Sequence, residues 1–113
     1  MTSAASLGLK AWLVQRLTAV YLAVFVLFAA IKFIWLPPQD YSQWIAWVAH
    51  PFINAALALF ILSLLLHAWI GLRDVIMDYV KSAAVRAGLF AMLILLLSGC
   101  GLWSLRLLLK VAA

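Results

Sequence analysis

The chain has 113 residues, 70% of them hydrophobic and only 10% charged, with a formal net charge of +5. A soluble domain this small cannot hide so much apolar surface, so the bilayer is its solvent. Its eight Lys and Arg residues sit at the ends of apolar runs. There they orient helices against a membrane, and nucleic-acid binding is set aside.

Residues 1–9 are small and polar and lack the arginine-rich amphipathic character of a mitochondrial presequence. Lys10 and Arg16 mimic a signal-peptide n-region ahead of the apolar run 17–31, but no small-residue cleavage motif closes that run. The stretch therefore reads as a retained membrane helix over 11–35. Trp12 and Trp35 serve as its interfacial anchors, and Lys32 is placed to snorkel outward. Pro37-Pro38 stops it. Residues 39–50 form a short connection in which Trp44 and Trp47, three apart, share one side of an interfacial turn.

Pro51 suits the first turn of a second helix. Its apolar part, 52–72, is long enough for about 30 Å of hydrocarbon, and the helix continues to Tyr79 or Lys81. A third span covers 85–109. Within it Ser98-Gly99-Cys100-Gly101 is a small-residue patch of the kind that lets helices approach closely. Cys100 is the only cysteine and reads as a packing residue in that patch. Without a C-x-x-C pair the chain holds neither an iron–sulfur cluster nor a structural zinc by itself.

The expectation is an all-α integral membrane protein, one domain over 1–113, with three transmembrane helices at 11–35, 52–79 and 85–109. Three spans put the termini on opposite sides. Lys10, Arg16, Arg73, Lys81 and Arg86 fall on the side of the N-terminus, against Lys32, Arg106 and Lys110 on the other. That excess predicts a cytoplasmic N-terminus.

The stretch 62–81 carries the chemistry. Ser63, His67, Gly71, Asp74 and Asp78 are spaced by four, four, three and four, which aligns them down one helix face. The face is predicted to meet protein or a cofactor rather than lipid. His67 lies about 22 Å of helix rise from Phe52 and about 18 Å from Tyr79, inside the membrane and nearer the cytoplasmic end. An ionisable residue at that depth is costly and marks a functional position. A neutral imidazole there can hydrogen-bond a neighbouring helix, shuttle a proton or ligate a metal. Haem iron is the natural membrane case, and Gly71 is expected to leave room for the ring.

His50 lies 17 residues before His67, about 25 Å away along a continuous helix, and reads as an interfacial residue. If a haem here has two histidine ligands, the other one must come from another polypeptide. At the end of the second helix Asp78 and Tyr79 meet Arg73, Asp74 and Lys81. One reading is a solvated helix end with an Asp78–Lys81 i,i+3 pair. The other is a redox or proton site, where a phenol donates to a carbonyl and a carboxylate relays a proton. Arg16, on the same side, can pair with Asp74 or Asp78, with a haem propionate, or with lipid phosphate.

His67-Ala68-Trp69-Ile70-Gly71 followed by Asp78-Tyr79-Val80-Lys81 resembles the small hydrophobic membrane anchor subunits of succinate dehydrogenase, complex II. Arg16-Leu17-Thr18-Ala19 in the first helix adds to the resemblance; the third helix matches only in character. The resemblance implies an anchor subunit of succinate:quinone oxidoreductase, with no complete active site of its own. By that resemblance His67 is an axial ligand of a haem b shared with a second anchor subunit. Tyr79 hydrogen-bonds a ubiquinone carbonyl, Asp78 lies beside it, and Arg16 lies near the haem propionates or the quinone pocket. FAD and the iron–sulfur clusters belong to the flavoprotein and iron–sulfur partner subunits. The implied location is a bacterial inner membrane. A fumarate reductase anchor shares the architecture, and a non-redox helical adaptor is the rival of another class. Three spans and one short polar stripe enclose no transport pathway within a single copy.

Overall fold

Proline and capping side chains set the starts of α2, α3 and α4, while the long apolar runs are helix throughout. The computed structural model describes residues 4–113. It has four helices in order: α1 (Ala4–Trp35), α2 (Tyr41–Ala49), α3 (Pro51–Tyr79) and α4 (Ala83–Ala112). Within lipid every backbone amide and carbonyl needs an internal partner, and an unbroken α-helix supplies one. α1, α3 and α4 are each long and apolar enough to cross a membrane. This is an all-helical, multi-pass membrane protein.

α1 starts at Ala4, earlier than the sequence pattern suggests, and stops at Trp35. Leu36 precedes the two prolines, which disfavour helical geometry in the residue before them. Lys32 does more than snorkel: its Nζ donates to the Leu36 carbonyl at 3.1 Å and closes the helix end.

The connection 39–50 contains a true helix, α2. Asp40 is its N-cap and accepts from the Gln43 amide at 2.8 Å, while Gln43 Oε1 accepts from the Gln39 amide at 2.8 Å. This is a capping box displaced by one residue. Trp44 and Trp47 share one face, as expected, and enclose Phe33 of α1 with ring centroids 5.5 and 4.9 Å away. His50 joins two helices. Its amide donates to the Ala46 and Trp47 carbonyls, closing α2, and its Nδ1 accepts from the Phe52 amide at 3.3 Å, opening α3.

α3 is central, packing against α1 on one side and α4 on the other. Among the described residues no Cα of α1 comes within 8 Å of one in α4. The helices thus form an open row rather than a closed bundle. Phe25 meets Phe60 with ring centroids 5.0 Å apart, and Trp69 meets Phe90 at 6.0 Å. At Gly101 an added Cβ would lie 2.7 Å from Leu65 Cδ1, so α4 approaches α3 closely there. The small-residue patch therefore contacts α3 through Gly101, whereas Cys100 is exposed. Lipid tails are as apolar as leucine, so close contact and interhelical hydrogen bonds rather than burial hold such a row together.

The α3–α4 corner is clamped by Arg86, whose Nη2 donates to the Val80 carbonyl at 2.7 Å. Val80 is already extended, so Lys81 lies off the helix and makes no i,i+3 pair with Asp78. Among the described residues the ion pair is instead Arg73–Asp74, at 3.1 Å.

Candidate functional site

On α1, Gln15, Thr18 and Tyr21 recur at intervals of three and so lie on one side of the helix. On α3, Ser63, His67 and Gly71 form the matching polar stripe. The two helices run antiparallel, which brings Gln15 opposite Gly71 and Thr18 opposite His67.

The imidazole is met by Thr18, whose Oγ1 lies 3.2 Å from His67 Nδ1. Thr18 is 8% exposed and Ser63 7%, and His67 is half-buried. The threonine hydroxyl also lies 2.8 Å from the Val14 carbonyl and 3.1 Å from that of Gln15. Among the described residues His67 Nε2 has no hydrogen-bond partner. Further along, Tyr21 Oη donates to the Ala56 carbonyl at 2.7 Å.

A Cβ at Gly71 would sit 3.4 Å from Gln15 Nε2, an ordinary van der Waals contact, so Gln15 packs beside this position. Gln15 Oε1 is buried without a partner. Beside it, Trp12, Gln15, Arg73 and Asp74 line a cleft of about 250 Å³ between the ends of α1 and α3.

One part of the α3 stripe thus faces α1, and its remainder, Asp74 and Asp78, is exposed. Tyr79 is 80% exposed at the last position of α3. Asp78 lies about 20° around the helix from His67, whereas Tyr79 is rotated by about 120°. The fold therefore separates His67 from Tyr79 by about 18 Å of helix and by facing. Arg16 is exposed, its guanidinium 5.5 Å from the Trp12 ring, and it pairs with neither Asp74 nor Asp78. A groove of about 650 Å³ between α3 and α4 is apolar and is lined by none of these residues.

No group of three or more His, Cys, Asp or Glu that could hold a metal ion occurs among the described residues. His67 is a lone imidazole donor inside a span. Residues 2–102 match the family model described as the succinate dehydrogenase/fumarate reductase transmembrane subunit. The chain belongs to that family. It is also 34% identical over 101 residues to the succinate dehydrogenase hydrophobic membrane anchor subunit of Coxiella burnetii (strain RSA 493 / Nine Mile phase I). The alignment covers 89% of this chain and 88% of that relative. As a member of the succinate dehydrogenase/fumarate reductase transmembrane subunit family, the chain is a membrane anchor.

Thr18 and Gln15 join the site only through the fold, since neither carries a charge or a metal-binding group. A signal for them exists in the sequence: two polar side chains on one face of an otherwise apolar span, three residues apart. Asn54 is a further polar residue whose role the sequence pattern does not reveal. Its Nδ2 donates to the Val48 carbonyl at 3.2 Å and to the Leu108 carbonyl at 3.1 Å, linking α2, α3 and α4.

Proposed function

We propose that this chain is the anchor of a bacterial succinate:quinone oxidoreductase and that His67 supplies one axial ligand to a haem b shared with a second anchor subunit. One observation carries the reading: His67 is held at membrane depth through Nδ1, while Nε2 is without a hydrogen-bond partner among the described residues. A half-buried imidazole with one free nitrogen fits an axial ligand, and with no other donor near it the second ligand belongs to the partner anchor. When bound, the haem would supply a one-electron carrier within the membrane.

At the end of α3, Tyr79 and Asp78 stand exposed at the edge of the span, where a quinone head group can meet them. The Tyr79 phenol donates a hydrogen bond to a quinone carbonyl. The Asp78 carboxylate holds a proton for transfer to the reduced ring. Reduction takes two electrons, delivered from the iron–sulfur partner subunit, and two protons, giving quinol. Arg16 presents a guanidinium at the same end of the chain for a haem propionate or the quinone pocket. FAD and the dehydrogenase chemistry reside in partner subunits. In this reading the N-terminus lies on the cytoplasmic side of the inner membrane, with Arg16, Arg73, Lys81 and Arg86. The name of the Coxiella relative favours succinate oxidation over fumarate reduction.

The test is a dithionite-reduced minus oxidised spectrum of the detergent-purified complex, wild type beside His67→Ala. A b-type α-band present in wild type and lost in the variant is the expected result. A band that survives the substitution would remove His67 from the site.

A further inference from the structure

We infer that Thr18 is a positioning residue that holds His67 as the Nδ1–H tautomer and so leaves the Nε2 lone pair for a metal. The inference rests on His67 being the haem ligand, and it goes further by assigning the proton and the group that places it.

The argument is a proton count. The Thr18 hydroxyl has one hydrogen and lies within bonding distance of three atoms: the Val14 carbonyl, the Gln15 carbonyl and His67 Nδ1. Both carbonyls can only accept. Threonine in a helix commonly donates to the carbonyl three or four residues back, and the shortest of the three contacts, 2.8 Å, is the one to Val14. The oxygen then offers only lone pairs to the imidazole, so Nδ1 must carry the hydrogen and donate it. A neutral imidazole has one N–H, and Nε2 is consequently bare. The opposite tautomer would put an N–H on Nε2, where no acceptor exists among the described residues, and would draw the hydroxyl away from its helix.

The contact also orients the ring. Thr18 is nearly buried and its side chain is fixed by two helix carbonyls, so it presents a stationary acceptor to His67. An N–H donated to such an acceptor makes the other nitrogen a stronger donor to a metal. Stronger donation favours the ferric over the ferrous state.

The experiment compares the purified complex carrying Thr18→Val, Thr18→Ser or His67→Ala with wild type, reading haem content from the α-band and the haem midpoint potential by titration. Valine keeps the shape and loses the hydroxyl. The expected result is a retained band with the Fe(III)/Fe(II) equilibrium moved about tenfold toward ferrous, about 59 mV upward for one electron, and a wild-type potential in Thr18→Ser. An unmoved potential in Thr18→Val, with the band still lost in His67→Ala, overturns the role of Thr18 and leaves His67 as the ligand. No band in wild type, or a band surviving in His67→Ala, overturns the ligand assignment and this inference with it. Should Thr18→Val fail to assemble, Thr18→Ala gives the same reading: a raised potential supports the inference and an unmoved one overturns it.

Discussion

Tyr21 on α1 donates its phenolic hydrogen to the backbone carbonyl of Ala56 on α3, 2.7 Å away and 35 residues distant in sequence. Like the Thr18–His67 contact it joins these two helices by a polar bond, and Phe25 and Phe60 add ring contact to the seam. Removing the hydroxyl in Tyr21→Phe should cost about 0.6 kcal/mol, the average for interhelical hydrogen bonds in membranes, and at most about 1.7. Thermal melts of the detergent-purified complex should show the lowered stability with the α-band unchanged. A variant as stable as wild type would mean that the Tyr21 hydrogen bond adds nothing to the seam.

The glycines of α4 should respond differently to substitution. A Cβ at Gly101 would meet Leu65 at 2.7 Å, whereas at Gly99 nothing lies within 4 Å. Leu65 can turn aside for one methyl group, so Gly101→Ala should be mild. Gly101→Leu should destabilise by about 1 to 3 kcal/mol through overpacking. Gly99→Ala should stay within about 0.5 kcal/mol. A large loss at Gly99 in the assembled complex would locate a partner helix on that side of α4.

Tyr79→Phe separates the quinone end of α3 from the imidazole. The phenol is solvent-exposed, so its loss removes no contact within this chain. One hydrogen bond to a neutral carbonyl is worth about 1 kcal/mol, which predicts roughly a fivefold fall in kcat/KM for quinone reduction. The haem spectrum should not change, because about 18 Å of helix lies between the two positions. Equal kinetics in wild type and variant would take Tyr79 out of the quinone site.

Asn54 ties three helices at the opposite end through its two carbonyl contacts. Asn54→Leu should loosen α2 and the C-terminal turns of α4 while leaving the Thr18–His67 region intact. Hydrogen exchange measures this directly: faster exchange should appear at 41–49 and near Leu108. Uniform protection across both segments would show that apolar packing suffices there.

Much of the chain is legible without coordinates. The spans follow from hydropathy, and their ends follow from Pro37-Pro38, Pro51 and the charged residues at 81–86. His67 stands out because an imidazole within lipid is costly. The connection 39–50 looks irregular because nine helical residues are too few to show a period, although Asp40 and Gln43 carry its capping signal. Gly71 depends on the fold for a different reason. Which group adjoins a glycine depends on the helix opposite, and here it is the Gln15 amide, in ordinary contact distance.

The number of membrane helices, where each one stops and which imidazole lies inside the bilayer are one-dimensional properties. They follow from the local cost of transfer to lipid, from backbone breakers and from caps, all written along the chain. It takes the packed helices to establish that α3 stands between α1 and α4, that Thr18 rather than Ser63 meets His67 Nδ1, and that Asp78 and Tyr79 face outward. In a soluble helix an apolar stripe announces the inward face. In a membrane the solvent is as apolar as the core, so the rotation and register of each helix are set by a few polar contacts and one close glycine approach between residues far apart in the chain.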